Sequence, residues 1–207
     1  LLVAPHAALA APPAAPVTAP AQQSDAADWL VMIYSAADDN VLEEDMMIDL
    51  QEAEMVGSSD DVTIVVQTDR HDGAYAEMGD WTSTKRFLIT QDDDMSAFAS
   101  EELDDLGEVN MSDGDALRDF IIWAAEAYPA EKRMLILSDH GAGWPGGWGD
   151  PDPGGLGDDE IALAQFFNDS LWLMEMGQAL DEVAAENIRA LVADAGETAV
   201  VVARFLA

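Results

Sequence analysis

Trp29-Leu30-Val31-Met32-Ile33-Tyr34, running straight into Ser35-Ala36-Ala37-Asp38-Asp39-Asn40, is the stretch that decides the fold class. A continuous apolar run closed by a polar turn suits a strand covered on both faces, as in a parallel sheet. Asp38, Asp39 and Asn40 can cap a following helix, in which Leu42, Met46, Ile48, Leu50, Ala53 and Met55 recur at roughly helical spacing before Gly57 ends it. A second apolar run, Val62-Thr63-Ile64-Val65-Val66-Gln67, follows one short acidic turn, as a parallel crossover demands. This β-α-β pattern predicts an α/β protein with a mostly parallel sheet.

Working outward, residues 73–90 alternate weakly around Tyr75, Trp81, Phe87 and Ile89 and read as a hairpin at a sheet edge. The acidic stretch from Gln91 to Glu108 has little periodicity and reads as a surface connection, tacked to the body by Leu103 and Leu106. Asn110-Met111-Ser112-Asp113 introduces an amphipathic helix carrying Leu117, Phe120, Ile121, Trp123 and Ala124, which Pro129 stops. Met134-Leu135-Ile136-Leu137-Ser138 is a third buried strand. Residues 141–157 are a Gly- and Pro-rich loop, Met174 to Glu186 a helix and Ile188 to Ala193 a further strand.

With 207 residues and 49% hydrophobic content, the chain has enough apolar material for one domain without cross-links. It contains no cysteine, which removes disulfides, thiolate metal sites and any cysteine nucleophile. The net charge of -34, from 42 acidic against 8 basic residues, opposes nucleic acid as a partner. Such acidity solvates a surface or attracts cationic substrates.

Residues 1–28 read as a signal-peptide remnant, LLVAPHAALAAPPAAP, merging into a flexible lead-in rich in Ala and Pro, with the folded part over 29–207. Secretion or attachment at the cell surface after bacterial-type export is the expectation. No run approaches the roughly 20 apolar residues of a membrane span.

In an open parallel sheet, functional groups gather beyond the carboxyl ends of the strands. At one such end, Leu135-Ile136-Leu137-Ser138-Asp139-His140-Gly141-Ala142-Gly143-Trp144 delivers an imidazole from a buried strand into a glycine-rich turn. His140 can exchange a proton near neutral pH, and the small residues after it admit a substrate backbone. A histidine hydrogen-bonded in a loop for structural reasons is the ordinary alternative.

The surrounding segments resemble the clostripain family of cysteine peptidases, relatives of the caspases and gingipains. Trp29 to Tyr34 with Ala36-Ala37-Asp38-Asp39-Asn40-Val41-Leu42-Glu43 is similar to the family's first strand and acidic turn. Val65-Val66-Gln67-Thr68-Asp69 is similar to its second strand end, and Asn110 to Ala124 with Tyr128-Pro129-Ala130 to the helix before the histidine strand. Ser138-Asp139-His140-Gly141 resembles the histidine motif itself.

The resemblance implies a caspase-like three-layer α/β/α sandwich in which His140 pairs with a cysteine at the end of the next strand. Gly141 N-H would be an oxyanion donor, and the cut bond would follow Arg or Lys. Where the family carries Asp-Ala-Cys this sequence has Asp194-Ala195-Gly196, so Asp194 corresponds to the acidic pocket wall and Gly196 to the missing nucleophile. The implied function is a clostripain-like endopeptidase, inactive in this chain, which is expected to be truncated or frame-shifted after Gly196. The alternative is a non-catalytic binding module for basic peptides. No cofactor is expected. The acidic loop Asp150 to Glu160 invites calcium but fails the EF-hand spacing, so calcium is left unassigned and no metal ligand is named.

Overall fold

The apolar run at Trp29 to Tyr34 is the middle of an 11-residue strand, β1 (Ala27–Ala37). The computed structural model describes residues 26–73, 75–79, 81–141, 149–150, 171–191 and 198–205. After β1 come α1 (Glu43–Glu54), β2 (Val62–Arg70), β3 (Thr84–Leu88), β4 (Glu101–Gly107), α2 (Gly114–Ala127), β5 (Ala130–Asp139), α3 (Leu173–Leu191) and β6 (Thr198–Phe205). The sheet runs β4-β3-β2-β1-β5-β6. The four strands β2, β1, β5 and β6 are parallel, and β3 runs antiparallel to both of its neighbours, β2 and β4.

Alternation along β1 sets the layers. Leu30, Met32 and Tyr34 are buried in one cluster with Leu117, Phe120, Ile121 and Ala124 of α2 and Met176, Ala179 and Val183 of α3. Val31 and Ile33 face the other way, half-buried against Met47 and Leu50 of α1 together with Ile64, Val66 and Phe87. Helices therefore cover both faces, and the architecture is the expected α/β/α sandwich. Each fully buried side chain of this kind contributes about 1.5–3 kcal/mol of transfer free energy. Tyr34 also anchors the α2 side through its hydroxyl, which donates to Met111 O at 3.1 Å.

The polar residues expected to cap α1 shape the turn before it instead. Asp39 Oδ1 accepts from Val41 N at 2.7 Å and Leu42 N at 2.8 Å, closing the turn just ahead of α1, whose N-cap residue, Leu42, makes no side-chain cap bond. Past the helix, Gly57 adopts φ +67°, and a Cβ built there would stand 2.4 Å from Gln91 N. Gly57→Ala is therefore expected to lose roughly 2 kcal/mol or more by urea unfolding, from the left-handed backbone and the close backbone approach together. A loss under about 0.5 kcal/mol would show that this turn relaxes freely.

Two expectations need correction. Residues 73–90 supply only β3, and its hairpin partner is β4, from the stretch read as a surface connection. An edge strand needs one covered face, so weak periodicity suffices: Leu103 is packed against the core, while Glu102 and Asp105 pair with Lys85 at 2.9 and 3.4 Å. The acidic edge also discourages pairing with another chain. At the other side, Ile188 to Leu191 continue α3 instead of forming a strand, and the sixth strand is β6. Ala, Leu and Arg favour the helix, whereas Val200-Val201-Val202 favours the strand.

Candidate active site

The central parallel strands finish level with one another. Ser35 is opposite Thr68 on one side and Ser138 on the other, and Ala36 is opposite Asp69. One end of the sheet therefore gathers Asp38 and Asp39 after β1, Asp69 and His71 at β2, and Asp139 and His140 at β5. This is the end at which an open parallel sheet binds ligands.

His140 is half-exposed, with Nε2 3.3 Å from Asp39 Oδ2. Its backbone N-H donates to the Asp139 carboxylate. Gly141 follows at φ +69°, turning the chain away from the strand in a conformation that glycine adopts without cost. Asp39 thus does two things: one oxygen holds the turn that leads into α1 and the other faces the imidazole. A carboxylate on one ring nitrogen orients the ring and leaves the second nitrogen to exchange a proton.

A second histidine–carboxylate pair lies beside it, with His71 Nδ1 2.6 Å from Asp38 Oδ1. Behind these pairs the acids are buried. Burial pushes the Asp139 carboxyl up to about 7, helped by the charges of Asp39 and Asp38 and opposed by the hydrogen bond from His140 N-H. Asp69 is pushed up to about 10, by burial first and then by Glu108, Asp150 and Asp38. Two strongly shifted carboxyls at the strand ends make this region a candidate functional site.

The adjoining cations are committed elsewhere. Arg70 turns to the α1 face, its Nε 2.5 Å from Glu43 Oε1 and its guanidinium stacked 4.4 Å over Trp81. Arg86 donates to Gln67 Oε1 at 2.9 Å and lies 4.4 Å over Trp123.

Of the site residues expected from sequence, His140 and Gly141 stand together at the carboxyl end of β5. Asp194 and Gly196 lie outside the described residues, as does most of the acidic loop from 150 to 160. Asp150 is described: it is buried, and its Oδ2 accepts from Met111 N at 2.7 Å. The described part of β6 pairs with β5 from Thr198, opposite Lys132, to Phe205, opposite Asp139. Asp38 and Asp39 were legible only as helix caps. His71 and Glu108 gave no signal that could be read before the strand ends were aligned.

A search of curated proteins gives no match. Among solved structures, the chain is similar to a secreted C11 cysteine protease from Bacteroides thetaiotaomicron in complex with an irreversible peptide inhibitor, at 18% identity and a TM-score of 0.42, covering 56% of this chain and 30% of that one. It is similar to a B. fragilis cysteine protease at 18% identity and a TM-score of 0.44, covering 56% of this chain and 92% of that one. An inactive zymogen C11 protease from Parabacteroides distasonis matches at 17% identity and a TM-score of 0.49, over 75% of this chain and 39% of that one. The chain thus spans well under half the length of two of these three. The family model described as "Clostripain family" matches residues 33–197, most of the sequence, and the chain belongs to the clostripain family.

Proposed function

We propose that this chain presents the histidine half of a cysteine-endopeptidase site and, having no thiol, does not itself hydrolyse peptides. The observation that carries the reading is the His140 imidazole held 3.3 Å from Asp39 at the carboxyl end of β5, in a chain of a cysteine-protease family. His140 would accept the proton of a nucleophile and return it to the leaving amine, and Gly141 N-H would face the oxyanion. The preference for Arg or Lys before the cut bond rests on family resemblance at Asp194 and on the acids clustered at the strand ends. The absence of cysteine from all 207 residues, independent of where Gly196 lies, supports the lack of turnover.

The test is a fluorogenic Arg-containing peptide incubated with the purified chain. No turnover above buffer is the expected result. Turnover that disappears in His140→Ala would overturn the reading, because it would demand another nucleophile. A second reading, a module that holds basic peptides without cutting them, is favoured by the net charge of -34 and predicts saturable, salt-sensitive binding of the same peptide. The acidity also argues against nucleic acid as a partner.

Export is part of the proposal, resting on the apolar and Ala/Pro-rich residues 1–28. Among the described residues, no helix is long and apolar enough to cross a membrane.

A further inference from the structure

We propose that His71 is a positioning residue for His140, acting through the Asp38–Asp39 turn, on the reading above that His140 is the group that exchanges the proton. β1 lies between β2 and β5 in the sheet. In the β1–β2 register Ala37 is opposite Arg70, so the next residue of each chain segment brings Asp38 level with His71. On the other side Ser35 is opposite Ser138, two residues short of His140. Two consecutive acids leaving β1 therefore face one histidine each, from the strands on either side. Asp38 Oδ1 is 2.6 Å from His71 Nδ1, and Asp39 Oδ2 is 3.3 Å from His140 Nε2.

A single peptide joins the two contacts, so neither acid moves without the other. Asp39 is fixed on its α1 side: its N-H donates to Ala37 O at 2.7 Å, its carbonyl accepts from Glu43 N at 3.2 Å, and its Oδ1 accepts from Val41 N and Leu42 N. The strand side of the turn is set by Asp38. Its carboxylate is buried, with oxygens of Asp69 and Glu108 within 4.8 Å, and like charges push it outward. An ionised carboxylate only accepts, which puts the proton on His71 Nδ1, and the resulting short bond holds Asp38 in place. The His71 side chain is 29% exposed, so filling the core is not its task.

The consequence lies at the His140 ring. An ionised Asp39 facing Nε2 favours the tautomer that carries its proton there, which leaves Nδ1 to accept the proton of a nucleophile. By fixing the turn, His71 helps to select the nitrogen that reacts.

The 15N-labelled full chain is examined by long-range 1H–15N NMR at about pH 8.5, well above the ordinary histidine value of about 6.5. The chain has three histidines, and the signals lost in His140→Ala assign that ring. The parent should show two well-separated ring nitrogens with Nε2 protonated. Asp39→Asn keeps an oxygen for Val41 N and Leu42 N but removes the charge facing the ring, so it should move the two nitrogen shifts toward each other and set the scale. His71→Phe should produce roughly half of that change or more. His71→Asn, whose amide nitrogen can replace Nδ1 as the donor, should return the ring to the parent's signature. Should His71→Phe fail to fold, His71→Ala decides in its place. A ring moved by Asp39→Asn but not by His71→Phe would overturn the role of His71. A change in His71→Phe that His71→Asn does not reverse would also overturn it, since bulk and not the donor would be responsible. A ring insensitive to Asp39→Asn would overturn the whole line of contacts. None of these outcomes involves hydrolysis, so peptide turnover stays a separate test of the proposed function.

Discussion

Arg70→Ala is expected to destabilise the protein by about 3–5 kcal/mol, the range for breaking a buried ion pair by removing one partner. Arg70 and Glu43 are both 1% exposed, and their Nε–Oε1 contact is 2.5 Å. The guanidinium also donates to the carbonyls of Tyr75 and, at 3.2 Å, Glu77, and it stacks on Trp81. It therefore ties α1, the end of β2 and the segment leading to β3 into one unit. Burial already raises the Glu43 carboxyl, with Arg70 pulling the other way. Truncating Arg70 leaves that carboxyl buried without its cation and two carbonyls without donors.

The double variant Arg70→Met with Glu43→Gln should lose less than Arg70→Ala alone, since it removes the stranded charge as well as its partner. Urea unfolding of the parent and both variants measures this. A loss below about 1 kcal/mol for Arg70→Ala would place the pair's weight elsewhere.

The contrast between Arg70 and Asp69 shows what the sequence could and could not reveal. Apolar runs announced β1, β2 and β5, and helical spacing with caps announced α1 and α2, because those elements bury side chains in a fixed period. Glu101–Gly107 belongs to β4 through backbone pairing with β3 and salt links to Lys85, neither of which leaves a period in the sequence. The last strand was misplaced for a related reason: Ile188 to Ala193 is apolar enough for either state, and periodicity does not separate a short buried strand from the end of a helix.

At the site, His140 stood out because an imidazole follows an apolar run and precedes glycines. Asp39 did not, since its pairing with His140 depends on β5 inserting beside β1, although some 100 residues separate them in the chain. The same holds for Asp38, Asp69 and Glu108. Each is an ordinary acid among 42 until strand order brings the three together.

Asp139→Asn is expected to stabilise the chain above neutral pH, and the size of the gain should depend on pH in a defined way. Asp139 is 3% exposed and holds its proton up to about pH 7, against an ordinary value of 3.8. Below pH 3.8 both folded and unfolded chains carry the proton, so the group contributes no difference. Between there and pH 7 the unfolded chain ionises while the folded one does not, so the unfolded state gains about 1.4 kcal/mol per pH unit. Above pH 7 the penalty is constant, at roughly 4 kcal/mol in order of magnitude. The sign is opposite to that of a salt-bridged aspartate, whose contribution is lost on acidification. Asparagine keeps an oxygen to accept from His140 N-H and has nothing to ionise. The stability of Asp139→Asn minus that of the parent, measured in EDTA, should therefore rise from pH 4 to 7 and then level off. A difference that stays flat across that interval would show that the Asp139 carboxyl titrates normally, and that the strand ends hold their charge without the crowding described above.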